Sequence, residues 1–509
     1  MRSTFPPESS NYLLFSDVHL GADLVQHAQP WTAKRLRQVH QVDQELGSML
    51  DHYRDRAEPG RPWKIVIAGD FIDLVGMSIS ASEEAAFSTP LTADEREHGL
   101  GSSHEHAAVK MRAVAVRHDL LFRKLARLVA EGHSLVLVRG NHDVELYWEE
   151  AQRAFLDALL ERAELPADDA NARAEFEQRV EFRHWFYYVR GLLYVEHGHQ
   201  YDATCAYQHV LAPRSPRDPQ RINYSFSDIL LRYVVRPTRE LSPEGHENNS
   251  LLHYLRLAFS LGLRGCARLG YRFFGAVGRM VRAWRDHLSE HAAHVRAEHE
   301  QKLQQLGAKL RLNTEHLRQM TQLWATPVTA GLLSIFRTVM LDGLAVGLLC
   351  LLVIALLGVL GVVSWVWLPE LVALVVVGMF FYGKYSRVLE PHAALLQGAG
   401  KLVSLLPARY VVMGHTHKPV METLSEGATY VNLGNWTVDL LDDHAPQAAC
   451  SHLVIRHDRS GKPVATLYGW QSAQGAHVMF TDQPKEATAA EPAIGAAPGL
   501  QTQPVTPRS

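Results

Sequence analysis

Short apolar runs ending in polar residues are the first pattern along this chain. Tyr12–Phe15, Trp63–Ala68, Leu135–Val138 and Leu192–Val195 are each followed closely by Gly, Asp, Asn or His. Runs this short and this apolar predict buried strands, and the longer stretch Ala107–Glu131 between two of them predicts a helix. The style returns late, at Arg409–Met413, Tyr430–Leu433, Ser451–Arg456 and Val464–Tyr468. Strands alternating with helices predict a layered α/β fold, with chemistry in the loops that follow the strands. The strand-rich part therefore falls into two pieces, 1–204 and 401–481, separated by a helical insertion over 205–400. No internal repeat is evident. The tail, 482–509, is rich in Ala, Pro, Thr and Gln and reads as disordered.

The insertion carries three patterns. Over 251–285 there are seven arginines and no acid, namely Arg256, Arg264, Arg268, Arg272, Arg279, Arg282 and Arg285. Their spacing puts them near one helical face, which predicts a basic amphipathic helix on an anionic membrane. A helix packed on its own domain with a solvated arginine face is the alternative, and Gly262, Gly265, Gly270, Gly275 and Gly278 weaken any single long helix. The next part, to Leu323, mixes charge with His and Gln and reads as a solvated arm. Then Gly343–Leu368 runs 26 residues without a formal charge. A bilayer core needs ~20. After Pro369 and Glu370 a further 13 apolar residues reach Gly383, so an apolar hairpin over about 341–383 is expected, with its turn near Ser364.

Composition changes this picture little. Of 509 residues, 47% are apolar and 21% charged, and the net charge is −3, so no bulk basicity points to nucleic acid. Four scattered cysteines without CxxC spacing argue against a disulfide framework and for a reducing compartment. Residues 1–11 show no apolar core of a signal peptide.

The candidate chemistry lies in short sequences at strand ends: Asp17-Val-His19, Gly69-Asp70, Gly140-Asn141-His142-Asp143, His197-Gly-His199, Gly414-His415-Thr-His417 and Gly434-Asn435-Trp436. Together they offer carboxylate, amide and imidazole donors and no thiolate, a set suited to Mn²⁺, Fe or Zn²⁺. Two such ions ~3.5–4 Å apart can clamp a phosphate, provided a carboxylate bridges them. The glycines let the backbone approach the cluster closely.

In this order the motifs resemble the calcineurin-like metallophosphoesterase superfamily, across 11–203 and 405–475. The resemblance implies a four-layer β-sandwich flanked by helices, here with an inserted all-helical, membrane-associated region. It implies that Asp17, His19 and His417 bind one ion, that Asp70 bridges, and that Asn141, His197 and His415 bind the second. His197 competes with His199 for its place. It also implies that His142 stabilises the transition state or protonates the leaving oxygen, with Asp143 holding its ring, and that a hydroxide activated by two divalent ions, Mn²⁺ foremost, is the nucleophile. Asp73 is expected to be structural, and Asn435 and Trp436 to line the rim. Ser16–Leu20, Gly414–Pro419 and Leu-Gly-Asn-Trp are similar to the UDP-2,3-diacylglucosamine pyrophosphohydrolases, membrane-peripheral enzymes that cut a glycolipid nucleotide. His142 departs from that branch, which commonly has Arg there.

His197 precedes the apolar stretch and His415 follows it, so the chain must return to the side it left, as a hairpin or a shallow loop. Arg337, Lys384, Arg387 and Lys401 flank that stretch, and the positive-inside rule puts the catalytic part in the cytoplasm, at the inner membrane. The expected activity is hydrolysis of a phosphodiester or pyrophosphate, on a lipid-linked or nucleotide substrate. A membrane-anchored phosphodiesterase for soluble nucleotides and a non-catalytic scaffold are the alternatives.

Overall fold

Strands buried on both faces carry the molecule's parallel pairings. The computed structural model describes residues 10–26, 33–81, 87–166, 169–238, 251–339, 341–361, 364–385, 391–424, 427–437 and 450–482; the expected disordered tail lies outside them, apart from Asp482. β1 (Asn11–Phe15), β2 (Trp63–Ala68), β3 (Ser134–Val138) and β4 (Val180–Arg183) run parallel, and β1 also pairs antiparallel with β10 (Ser451–His457). β11 (Pro463–Gln471) and β12 (Gly475–Thr481) extend that edge, giving the order β12-β11-β10-β1-β2-β3-β4. A second sheet is built from β5 (Phe186–Val189), β6 (Leu193–Glu196), β7 (Tyr410–Met413), β8 (Val420–Thr423) and β9 (Thr429–Asn432), in the order β5-β6-β7-β9-β8. Both sheets are mixed, and the protein is α/β. β6 and β7 are neighbours across the whole insertion, so the two pieces of the chain share one sheet.

The two sheets pack face to face. Tyr12, Leu14, Val66, Val136 and Val138 of the first meet Val195, Val412, Val431 and Leu433 of the second. The alternate residues, Phe15, Ile65, Ile67 and Leu137, point the other way, as the two-residue period of a strand requires. They are covered by α1 (Ala33–Asp55), α3 (His104–Arg117), α4 (Asp119–Ala130) and α5 (Glu149–Leu160), through Leu46, Met111, Phe122 and Phe155. Two shorter helices, α2 (Ala93–His98) and α6 (Ala170–Gln178), complete this half.

The single helix expected over 107–131 is two. His118 breaks it: the ring Nε2 accepts the Gly21 N–H at 3.0 Å, and Nδ1 lies 2.9 Å from Asp43. A side chain committed to two partners at one turn outweighs the continuing helical pattern.

Parts of the insertion belong to the core. The expected solvated arm is α9 (Ala292–Leu310) and α10 (Thr314–Thr321), which bury Leu303, Leu317 and Met320 on the second sheet beside α14 (Pro391–Leu405). The arm reads as polar because each helix turns only a narrow apolar stripe inward. Helices α7 (Phe226–Leu230), α8 (Leu251–Leu288) and α11 (Leu332–Thr338) form a further cluster through Phe226, Ile229, Ala276, Val277, Met280 and Ile335. The basic helix therefore packs on its own chain along its C-terminal half. Arg279 pairs with Asp94 at 2.6 Å, and the helix bends at Gly262, where φ is 60°.

The apolar stretch folds as α12 (Leu341–Val359) and α13 (Leu368–Tyr385), which pack against each other. Among the described residues no helix is long and apolar enough to cross a membrane, so the expected transmembrane helix does not stand. Gly361, at φ 70°, ends the 26-residue run early. The 19 residues of α12 reach only ~28 Å, against a hydrocarbon core of ~30 Å. The pair nonetheless turns Val346, Leu349, Leu352, Leu356, Trp367 and Leu374 to the surface.

His452 on β10 is fully buried, its Nε2 2.8 Å from the Tyr53 hydroxyl, and burial pushes its pKa from the ordinary 6.5 to about 3. The unfolded chain therefore takes up a proton below pH 6.5 that the folded chain refuses, and stability falls as the pH drops through that window. We expect the melting temperature of His452→Gln to fall less steeply between about pH 7 and pH 5 than that of the wild type. Equal slopes would show that His452 carries none of the effect.

Candidate metal centre

Each motif leaves the C-terminal end of a parallel strand. Asp17 and His19 follow β1, Asp70 follows β2, Asn141 and His142 follow β3, His197 follows β6, and His415 and His417 follow β7. Because the sheets face each other, these ends meet at one seam. The backbone there is strained. Of the eight non-glycine residues with positive φ among the described residues, five are Asp17, His19, Asp70, His415 and His417, at 49° to 70°. Each such conformation costs ~1–3 kcal/mol and persists only where its surroundings enforce it.

Several backbone bonds enforce it here. Asp17 N–H donates to the Gly69 carbonyl at 3.2 Å, and Val18 and His19 N–H both donate to the Asp70 carbonyl at 3.0 Å. Gly414 N–H donates to the His197 carbonyl at 3.0 Å, and Trp436 N–H to that of Asp17 at 2.9 Å. A Cβ on Gly140 would overlap the Asp70 carboxylate, and one on Gly414 the Asp17 carboxylate. Only glycine admits both carboxylates at these two places.

The side chains converge. His417 Nε2 lies 3.3 Å from Asp17 Oδ1, and His197 Nε2 lies 3.1 Å from Asp70 Oδ2 and 3.2 Å from Asn141 Oδ1. His19 Nε2 is 3.9 Å from Asp70 Oδ2. Asp17, His19 and His417 form one group able to hold a cation, and Asp17, Asp70 and His197 form another. His197 Nδ1 is 3.0 Å from the Ala68 carbonyl, an arrangement that fixes the proton on Nδ1 and turns Nε2 to the carboxylates. His199 stands one ring behind, 5.4 Å from His197 between centroids, and joins no such group. His197 is thus the one of the pair that the fold brings to the cluster.

The donor set fits divalent ions. Asp17 Oδ1 and His19 Nε2 are buried without a hydrogen-bond partner, a costly state that a cation would relieve. Burial, reinforced by the neighbouring His142, takes His19 down to about 3, so its imidazole is neutral and has a lone pair to give. Burial would raise Asp17 and Asp70, but facing imidazoles, His197 foremost, hold both below the usual carboxylate range. Burial would also lower His197, yet Asp70 and Asp17 raise it to about 9. The carboxylates that attract this proton would equally attract a metal ion.

His415 is placed less simply. Its N–H donates to Asp17 Oδ2 at 3.1 Å, but its Nε2 lies 3.2 Å from Asp202 Oδ2. Asp202 was not foreseen from the sequence, where nothing marks one acid five residues beyond His197.

The expected partner of His142 is corrected. Asp143 does not hold its ring; Asp143 Oδ2 accepts the Phe71 N–H at 2.9 Å and Oδ1 accepts the Gly140 N–H, which pins the loop. The side chain holding His142 is Asp73, with Oδ1 2.7 Å from Nδ1. Adjacent residues point apart, so the neighbour in sequence faces inward while Asp73, on the facing loop, is in reach. Arg236, from the insertion, clamps the other Asp73 oxygen and donates to the Ala22 carbonyl at 3.1 Å. No local pattern marks Arg236. Burial would lower His142, but Asp70 and Asp73 raise it to about 10. Trp436 is also not at the rim. It is fully buried edge-on to Phe15, while Asn435 Nδ2 donates to the His417 carbonyl at 3.4 Å.

No family model, curated protein or solved structure matches the chain.

Metal analysis tests the site directly. Manganese-loaded protein should carry two ions per chain, and Asp70→Asn at most one. Free manganese at ~100 times its Kd should stabilise the fold by about 2.7 kcal/mol, an effect that Asp17→Asn should largely remove.

Proposed function

We propose that the chain is a calcineurin-like dinuclear-metal phosphoesterase that hydrolyses a phosphodiester or pyrophosphate. The observation that carries this reading is the meeting of Asp17, His19, Asp70, His197 and His417 at the ends of parallel strands from two facing sheets. Asp17, His19 and His417 would hold one ion and Asn141, His197 and His415 the other, with Asp70 between them. When bound, such ions polarise a phosphoryl oxygen and make water nucleophilic near neutral pH.

The other steps belong to side chains. His142 stands beside the cluster, its ring 4.5 Å from that of His19 between centroids, and carries a proton that Asp70 and Asp73 favour. With Nδ1 held by Asp73, the proton on Nε2 is the one available to the leaving oxygen. Arg236 fixes Asp73 and so fixes the ring's direction. The layering of helices, sheet, sheet and helices is consistent with the superfamily's four-layer sandwich.

The exposed apolar surface of α12 and α13 supports seating in one leaflet of an anionic membrane, with the metal centre on the cytoplasmic side, and so supports a lipid-linked substrate. The motif likeness to the UDP-2,3-diacylglucosamine pyrophosphohydrolases names the first substrate to try.

Manganese-loaded protein should hydrolyse a generic phosphodiester such as bis(p-nitrophenyl) phosphate. Asp70→Asn should remove this activity, and His142→Ala should lower kcat by about 10²–10⁴. Full activity in Asp70→Asn overturns the reading. Comparing UDP-diacylglucosamine with cyclic nucleotides then separates a lipid-linked from a soluble substrate. For the membrane, Leu352→Glu with Leu356→Glu should release the protein from phosphatidylglycerol vesicles in flotation; unchanged flotation would remove the hairpin from that role.

A further inference from the structure

A cleft of about 780 Å³ lies between α2, α7 and the C-terminal half of α8, and none of the expected metal ligands lines it. Its volume is within the ordinary range of small-molecule sites. Four arginines reach it: Arg221, Arg232, Arg279 and Arg282. Two of them are neutralised in place. Arg221 pairs with Glu95 at 2.8 Å and with Asp218 at 2.5 Å, and Arg279 pairs with Asp94 at 2.6 Å. Asp286, another acid of the wall, is taken by Arg217 at 2.6 Å.

Arg232 and Arg282 are left. Among the described residues neither meets a carboxylate within 4.0 Å. Arg282 is exposed at the rim. Arg232 is only 4% exposed; one nitrogen donates to the Gly99 carbonyl at 2.6 Å, while Nε and Nη1 find no acceptor. A guanidinium cannot shed its proton, so a buried one with idle donors is a standing cost unless an anion meets it. The opposite wall is shaped for an approaching ring. Gly275 and Gly278 put bare backbone on the face of α8, and a Cβ at Gly278 would meet nothing within 4 Å. These glycines, which weaken the helix, are the ones that open the cleft.

We propose that this cleft binds a phosphorylated small molecule of sugar-phosphate to nucleotide size, at a site separate from the metal centre. The phosphate would take the free donors of Arg232 and the charge of Arg282, since two unpaired guanidinium groups favour a doubly charged anion over a carboxylate. The sugar or base would lie along the glycine face of α8. This assignment stands whether or not the metal centre is a phosphoesterase.

The test is calorimetric titration of the full-length protein, stripped with EDTA and carrying Asp70→Asn so that the metal centre holds no anion. Inorganic phosphate, glucose 6-phosphate and UMP are the probes. We expect one saturable site for glucose 6-phosphate or UMP, weaker binding of inorganic phosphate, and at least a tenfold loss in Arg282→Glu, whose side chain is exposed and leaves the fold intact. Arg232→Lys, which keeps the charge and loses the donors, should weaken binding as well. Absence of saturation by all three probes overturns the proposal. So does equal affinity for all three, or unchanged affinity in Arg282→Glu.

Discussion

Two carboxylates buried at the seam between the sheets impose the main constraint on this molecule. Asp17 is fully buried and Asp70 nearly so, and both stay ionised only because cationic or polar groups surround them. Isolated charges of this kind are expensive inside a protein. The seam meets that cost with imidazoles from both sheets, with backbone N–H groups of His142 and His415, and with room for cations. The left-handed turns at five of these positions follow from the same need, since only a sharply bent chain can aim so many side chains at one point.

The insertion is tied to that seam at several points. α9 and α10 close the outer face of the second sheet. Tyr147, just beyond the Asn141–Asp143 loop, is 2.5 Å from Glu298 of α9 and 2.9 Å from Lys302. Arg236 secures Asp73, and through it His142. A region that hydropathy separates from the catalytic halves thus supplies both their cover and part of their site. Movement of α8 or of the apolar pair would be felt at His142 through this route, because the contacts are direct.

The motifs made most of the metal cluster legible. Asp, Asn and His directly after short apolar runs are informative because strand ends fix where the next residues emerge. Asp17, His19, Asp70, Asn141, His197 and His417 were found in this way. The roles of Asp143 and Trp436 were misread because sequence adjacency does not say which way a loop residue faces. Arg236 and Asp202 were invisible, being brought in from distant segments with no pattern of their own. Hydropathy found the apolar stretch but not its break at Gly361, which is a matter of one backbone angle.

By itself the sequence determined the α/β alternation, the strand ends that carry donors, and the chemical type of those donors, because periodicity and side-chain chemistry are local properties. Only the tertiary structure decided that β6 and β7 become neighbours across the insertion, that Asp73 rather than Asp143 holds His142, and that part of the arginine helix turns inward to a cleft. Those outcomes depend on which surfaces bury each other, and burial is a property of the whole chain.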